Sequence, residues 1–230
     1  MYGDDYSILL DVAMSAYGNS ARLVRSVSEA KGDGHDVVVF GKGWGKELRL
    51  PGRGTAGRYF VDWILALLDE NKCLREFVAI EVQTMDTTGT YRPEVESLYA
   101  GKPTSQASKA GINWENVSKR ILPQIIYKGH VLRREKLCTK GMFFICPRPV
   151  YDRILVRLGG PLQEYHPHAG ALTFRWYDLD EKLIQGRPRN LVFVGHKTTT
   201  IDQVALAFTS PSNLPDPGVY ELAIKSELGE

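Results

Sequence analysis

Cysteine is scarce in this 230-residue sequence, which contains only Cys73, Cys138 and Cys146. No CxxC pair occurs, and three cysteines cannot build a four-cysteine metal site within one chain. An odd and sparse set of cysteines is typical of a reducing compartment and not of a disulfide-stabilised fold. We therefore expect a cytoplasmic protein that is held together by its hydrophobic core.

Signals for export and for membrane insertion are also missing. The N-terminal residues MYGDDYSILL lack the basic start and the long apolar stretch of a signal peptide. No run of about 18 apolar residues occurs, so we expect no membrane-spanning helix and no membrane partner. The net charge of +2 neither requires nor opposes binding to nucleic acid.

A phosphate-binding loop is not found either, although residues 41–57 contain six glycines. This segment matches neither the P-loop pattern nor a GxGxxG motif that precedes a helix. We therefore discount a phosphate-cradling role for this loop.

The hydrophobic pattern predicts alternating helices and strands. Residues 5–30 are predicted to be helical with a break near Gly18, and residues 113–131 form a later helix in which Pro123 predicts a kink near residues 119–120. A short helix is predicted at 150–158, and strands are predicted at 36–40, 58–68, 76–83, 141–147, 171–179, 190–200 and 219–224. This order indicates an α/β fold with a mixed central sheet flanked by helices.

Two polar side chains end one of the predicted strands. Glu81 and Gln83 are two residues apart in EFVAIEVQ, residues 76–83, and therefore lie on the same face of the strand. The preceding strand forms a hairpin with this one and places Asp62 near Glu81. Two carboxylates repel each other unless a divalent cation lies between them, and oxygen ligands suit Mg²⁺. We therefore expect Mg²⁺, or alternatively Mn²⁺, at Asp62 and Glu81, with the backbone carbonyl of Val82 as a further ligand.

The segment GKELRLPGRGTAGRYFVDWILALLDENKCLREFVAIEVQ, residues 45–83, resembles the catalytic core of the NotI-type restriction endonucleases. These enzymes belong to the PD-(D/E)xK nuclease superfamily. The match is carried by KELRL, GRYFVD and AIEVQ, and it continues in the helix NVSKRILPQIIYKGHVL and the strand GMFFICP. It covers roughly residues 45–146 and implies a PD-(D/E)xK restriction-endonuclease-like core.

The resemblance also implies catalytic roles. Asp62 and Glu81 would be the metal-binding acids, and Glu47 would be a further acid that helps to build the site. Gln83 would stand where the superfamily has its lysine. Glutamine can orient a water molecule, but it cannot act as a general base or carry a positive charge. The base is then either a second metal-bound water or the substrate phosphate.

DNA recognition must differ from that of the better-known NotI-type enzymes, because this chain has no cysteine cluster for their iron-binding recognition module. The candidate DNA-binding residues lie in the loop at 84–111 and on the helix that follows, and they are Thr88, Tyr91, Arg92, Lys119, Arg120 and Lys128. We expect a single nuclease domain over residues 1–230 with its catalytic core at about 36–158. Residues 159–230 are either a recognition unit or an extension of the sheet.

The sequence thus predicts a type II-like restriction endonuclease that hydrolyses phosphodiester bonds of double-stranded DNA at a specific site with Mg²⁺. A palindromic target predicts a homodimer, and protection of the host predicts a companion methyltransferase. The alternatives are a repair or recombination nuclease of the same superfamily, a non-catalytic DNA-binding relic of such a nuclease, and a sheet protein with no metal and no DNA role.

Simpler interpretations exist for each candidate residue. Glu81 and Gln83 also fit the solvated end of an edge strand, and Glu47 fits a surface acid that pairs with a neighbouring lysine or arginine. The basic residues of the later helix fit a solvated helix face. His166 and His168 lack a matching third ligand, so we interpret them as loop residues.

Overall fold

The computed structural model describes residues 6–44, 46, 48, 60–84, 87–88, 111–112, 114–182 and 189–229. Its centre is a seven-stranded sheet, which is formed by β1 (Arg22–Val24), β2 (Asp36–Gly41), β3 (Trp63–Leu68), β4 (Leu74–Val82), β7 (Met142–Pro147), β8 (Ala171–Leu179) and β9 (Leu191–Thr200). The strands lie in the order β1-β2-β3-β4-β7-β8-β9. Two further strands, β5 (Thr87–Thr88) and β6 (Gly111–Ile112), form a separate two-stranded ladder.

The large sheet is mixed. Parallel pairs join β1 to β2, β4 to β7 and β7 to β8. Antiparallel pairs join β2 to β3, β3 to β4 and β8 to β9. The predicted α/β fold with a mixed sheet is therefore confirmed at this level of description.

Helices cover both faces of the sheet. On one face, α1 (Ser7–Tyr17) packs its buried residues, such as Leu9 and Val12, on the side chains of Val78, Ile80 and Phe143. The other face carries α2 (Leu122–Leu132), α3 (Arg148–Arg157) and α4 (Ile201–Thr209), whose apolar residues form a second core. A last helix, α5 (Val219–Leu228), contains no buried residue. Among the helices that the structure describes, none has the length and apolar character needed to cross a bilayer.

The predicted kink near residues 119–120 coincides with an irregular turn. Residues Val117–Ile121 form a π-helical turn directly before α2, and Pro123 lies in the first turn of α2. Proline has no backbone N–H to donate to the carbonyl four residues earlier, so the regular helical ladder is interrupted there.

Two element predictions are wrong. The second half of the helix predicted at 5–30 is β1 followed by a short 3₁₀ turn, because α1 ends at Tyr17 and the next residue, Gly18, has a φ of 99°. Arg22 then bonds to the carboxylate of Asp36 and pairs in parallel with β2. The strand predicted at 219–224 is helix α5.

Helix α4 was not predicted, although the sequence carries a signal for it. The hydroxyl of Thr200 accepts a hydrogen bond from the backbone N–H of Gln203 at 3.1 Å. Threonine followed three positions later by glutamine is the pattern of a capping box. The predicted strand at 190–200 ends where this cap begins.

Candidate active site

The register between β3 and β4 brings Asp62 and Glu81 together. Trp63 pairs with Ile80 in this antiparallel ladder, and Asp62 directly precedes β3, so the next position along the ladder sets Asp62 opposite Glu81. The carboxylate of Asp62 accepts a hydrogen bond from the backbone N–H of Val82 at 2.8 Å. The predicted hairpin and the proximity of its two acids are therefore present.

The side chain of Glu81 points away from solvent into the helical layer that contains α2. Neighbouring residues Val78 and Ile80 belong to the core under α1, whereas Ala79 belongs to the core under α2. Because side chains alternate along a strand, Glu81 shares the face of Ala79. Only 7% of Glu81 is exposed.

Lys128 of α2 reaches this buried carboxylate. Its Nζ lies 2.5 Å from Oε1 of Glu81, and Lys128 itself is only 9% exposed. The sequence grouped Lys128 with the exposed phosphate-binding candidates of the helix, but the structure places it inside the protein against Glu81. A solvated helix face therefore does not describe this lysine.

A lysine at this position could have been recognised as buried from its spacing alone. Ile121, Ile125 and Leu132 are buried and recur at helical intervals. Lys128 falls three residues after Ile125 and four before Leu132, so it continues the same apolar stripe. A charged residue on such a stripe needs a buried partner.

The second carboxylate oxygen of Glu81 has no such partner. Oε2 is buried and accepts no hydrogen bond from the described residues. Burial raises the pKa of Glu81, the nearby Asp62 raises it further, and Lys128 offsets only part of both effects, so the pKa lies at about 7. When Glu81 is ionised, its buried Oε2 therefore lacks a hydrogen-bond donor or a cation to balance its negative charge.

Glu76 provides a contrast on the same strand. Lys140 bonds to both of its carboxylate oxygens, and the hydroxyl of Thr139 donates to Oε2. Burial alone would raise the pKa of Glu76, but these donors outweigh it and lower the pKa. The two glutamates therefore differ because Glu81 is buried more deeply, lies beside Asp62 and has a donor on only one of its oxygens.

The donors around Glu81 fit a hard divalent cation. Oε2 of Glu81 and the carboxylate of Asp62 offer oxygen ligands of the type that Mg²⁺ prefers. Along a strand, the N–H and the C=O of one residue point to the same side. Since the N–H of Val82 points to Asp62, its carbonyl is directed to that side as well. Within the described ranges, no group of three or more acidic, histidine or cysteine side chains forms a ready metal cluster.

Gln83 lies just beyond the end of β4. Its backbone N–H donates to the carbonyl of Ile145, and its side-chain Nε2 donates to the carbonyl of Thr84 at 2.9 Å. Continued alternation places Gln83 on the same face as Glu81. It is partly exposed, so it borders the open side of the site.

The remaining predicted residues divide into two groups. Glu47, Tyr91 and Arg92 lie outside the described residues, and of Thr88 the structure gives only its pairing with Gly111 in the small ladder. Lys119 and Arg120 are exposed on the π-helical turn, and Lys119 pairs with Glu115 at 2.5 Å. These two basic residues are therefore accessible from solvent, unlike Lys128.

Comparison of the sequence with protein-family models finds no match, and comparison with curated proteins finds no significantly similar sequence.

Proposed function

We propose that this protein is a type II-like restriction endonuclease, which hydrolyses phosphodiester bonds of double-stranded DNA at a specific sequence with Mg²⁺. The observation that carries the proposal is the buried Glu81, which has Lys128 on one oxygen, no partner on the other, and Asp62 beside it. The resemblance of residues 45–146 to NotI-type nucleases gives this arrangement its chemical interpretation.

Asp62 and Glu81 are the residues that would hold the cation. The backbone N–H of Val82 fixes one carboxylate oxygen of Asp62, so this side chain is oriented before any ligand binds. When bound, Mg²⁺ stabilises charge on the phosphoryl group and lowers the pKa of a coordinated water.

Lys128 supplies the positive charge that Gln83 cannot provide. In the ExK motif of the superfamily, the lysine follows two residues after the acid on the same strand. Here glutamine occupies that position, and an ammonium group reaches the acid from α2 instead. Lys128 would favour the ionised form of Glu81 and would add positive charge beside the reacting phosphate, while Gln83 would orient a water molecule through its amide.

The DNA would approach the open side of this site. Lys119 and Arg120 precede Lys128 by nine and eight residues along the helical segment, which corresponds to about 12–14 Å of rise. Exposed basic residues at that distance suit phosphates that flank the cleaved bond. A palindromic target would require a two-fold homodimer, and a companion methyltransferase would protect the host.

The test is cleavage of methylated and unmethylated phage DNA by the wild-type protein, with Mg²⁺ or with EDTA. Discrete fragments that vanish with EDTA and with Glu81→Gln support the proposal. Glu76→Gln is the matched control, because it replaces another lysine-paired glutamate of the same strand. This variant should produce the same DNA fragments as the wild type.

Other outcomes separate the alternatives. A smear of products would favour a repair or recombination nuclease over a restriction enzyme. Salt-sensitive DNA binding without cleavage in any divalent cation would favour the non-catalytic relic. If the protein neither cleaves nor binds DNA, a DNA-directed function is rejected.

A further inference from the structure

Helix α5 exposes apolar side chains that pack against nothing in the described structure. Tyr220 is 82% exposed, Leu222 and Leu228 are each 69% exposed, and Ile224 is 57% exposed. No residue of this 10-residue helix is buried. Isolated helices shorter than about 12–15 residues are marginal in water, so α5 needs a packing partner.

An apolar groove lies between α2 and α4. Its walls are formed by Pro123, Ile126, Tyr127, Val131, Ala205 and Phe208, and its volume is about 550 Å³. Its rim carries His130 and Arg134. We refer to it as the α2–α4 groove. An apolar channel between two helices is the type of surface that accepts an amphipathic helix.

The charges of the helix and the groove are complementary. Helix α5 carries Glu221 and Glu227 against Lys225, which gives it a net negative charge. Arg134 makes the rim of the groove positive. An acidic helix with apolar residues thus matches a basic groove with apolar walls.

We propose that α5 of one copy of this chain docks in the α2–α4 groove of a second copy, and that the exchange is reciprocal. A reciprocal contact closes a two-fold dimer and uses both exposed surfaces of each copy. Tyr220, Ile224 and Leu228 recur at intervals of four residues and therefore share one face of α5, where each can hide on the order of 100 Å². The groove walls are covered by the same contact, so each copy buries a substantial part of the roughly 800 Å² per partner of a standard stable interface.

A second copy explains these surfaces without any further component. This interface lies outside the Asp62–Glu81 pair and does not depend on nuclease activity. A two-fold dimer would nevertheless suit a palindromic target. Residues 210–218 join α4 to α5, and nine residues span at most about 30 Å. Docking of α5 in the groove of its own chain is therefore the main competing outcome.

The first experiment measures the mass of the full chain by light scattering and its dimer affinity by sedimentation. The wild type should be a dimer at micromolar concentration. Ile224→Glu should weaken the dimer at least 100-fold, and so should Ala205→Glu, which narrows the groove and adds a negative charge. Val156→Glu on α3 is the matched control, since Val156 is also 69% exposed but lies outside this groove.

Mixing the two weakened variants provides the sharper test. Ile224→Glu retains an intact groove, and Ala205→Glu retains an intact α5, so the mixture should form a heterodimer with one good contact. A dimer that survives Ala205→Glu but not Ile224→Glu would instead indicate that two α5 helices pack on each other, and it would overturn the proposal.

A wild-type protein that stays monomeric at a concentration 100-fold above the micromolar range would also overturn the proposal. If Ile224→Glu then lowers the melting temperature of that monomer, α5 docks within its own chain. Glu81→Gln should dimerise like the wild type, so loss of catalysis and loss of the dimer are separate results. Circular dichroism of each variant confirms that it is folded.

Discussion

Lys128 and Glu81 form a buried ion pair across 47 positions of the chain, with 2.5 Å between Nζ and Oε1. Removing two charges from water is expensive, and a buried pair of this kind is weak evidence for a gain in stability. The pair also leaves Oε2 of Glu81 unpartnered. An arrangement that is costly and incomplete in the folded protein is typical of a site that is completed by a ligand.

Divalent cations should therefore stabilise the protein through Glu81. A cation at a hundredfold excess over its dissociation constant adds about 2.7 kcal/mol to the free energy of unfolding. For a chain of this size that corresponds to a rise in melting temperature of about 5–10 °C. Thermal denaturation with Mg²⁺, Mn²⁺ or EDTA measures this rise, which should be absent in Glu81→Gln and in Asp62→Asn.

Glu76→Gln is the control for that experiment. It removes the other lysine-paired glutamate of β4 and should lower the melting temperature while keeping the response to the cation. An equal cation response in Glu81→Gln and in the wild type would place the metal elsewhere.

The pH dependence of stability should reveal the raised pKa of Glu81. Its pKa in the folded protein is about 7, against 4.5 for the free side chain. The folded state holds the proton of Glu81 more tightly than the unfolded state does. The contribution of this proton to the free energy of unfolding is therefore fully present below pH 4.5 and is lost as the pH rises to about 7. The difference amounts to roughly 3 kcal/mol.

Glu81→Gln removes this ionisation. In EDTA, the wild type should lose stability relative to Glu81→Gln between pH 5 and pH 8. Mg²⁺ should restore the stability of the wild type above pH 7, because the carboxylate of Glu81 is then deprotonated and can bind the cation. Parallel melting curves at several pH values measure both effects. Curves for the two proteins that keep a constant separation in EDTA would mean that Glu81 is ionised with an ordinary pKa.

The sequence is sufficient to predict those parts of the site that depend only on residues close together in the chain. The strands at 76–83 and 141–147 and the proximity of Asp62 to Glu81 follow from alternation and from one hairpin. The spacing of Lys128 along α2 indicates its burial, but its partner Glu81 lies 47 positions away and cannot be identified from the helix alone. The same limitation explains β1, where the ion pair between Arg22 and Asp36 overrides the helical pattern.

Lys128→Met should abolish most of the proposed nuclease activity. The variant keeps the volume of the side chain but leaves the buried Glu81 without its cationic partner, which raises the pKa of Glu81 further. We expect cleavage to fall at least 100-fold and the optimum for cation binding to move to higher pH. Lys140→Met, which removes the partner of Glu76 at the other end of β4, should retain cleavage.

Gln83→Lys provides a rescue of that variant. A lysine at position 83 lies on the same face of β4 as Glu81 and can bring an ammonium group to it from the strand. We expect the double variant Lys128→Met/Gln83→Lys to recover at least tenfold in cleavage rate over Lys128→Met alone. Full activity of Lys128→Met itself would exclude Lys128 from the site's chemistry.

The residue that follows Lys128 allows α2 to approach α4 closely. Gly129 faces α4, and a methyl group added there would lie 2.2 Å from Cδ1 of Ile201, which is only 1% exposed. Alanine favours a helix over glycine by about 1 kcal/mol. Overpacking in a close-packed core costs typically 1–3 kcal/mol, and a shift of Cδ1 alone would not relieve the contact, because Cγ1 of Ile201 would lie 2.4 Å from the added methyl group.

Gly129→Ala should therefore destabilise the protein by about 1–2 kcal/mol despite its better helix propensity. Ile201→Ala removes both clashing atoms, Cδ1 and Cγ1, so Gly129→Ala should cost little in the Ile201→Ala background, whereas Ile201→Ala alone costs about 2–5 kcal/mol. Urea denaturation of the four proteins gives the coupling energy between the two sites. Because the clash would push α2 away from α4, Gly129→Ala should also weaken the response to Mg²⁺, and Ile201→Ala should restore it. Additive losses in the double variant would show that Gly129 and Ile201 are not in contact.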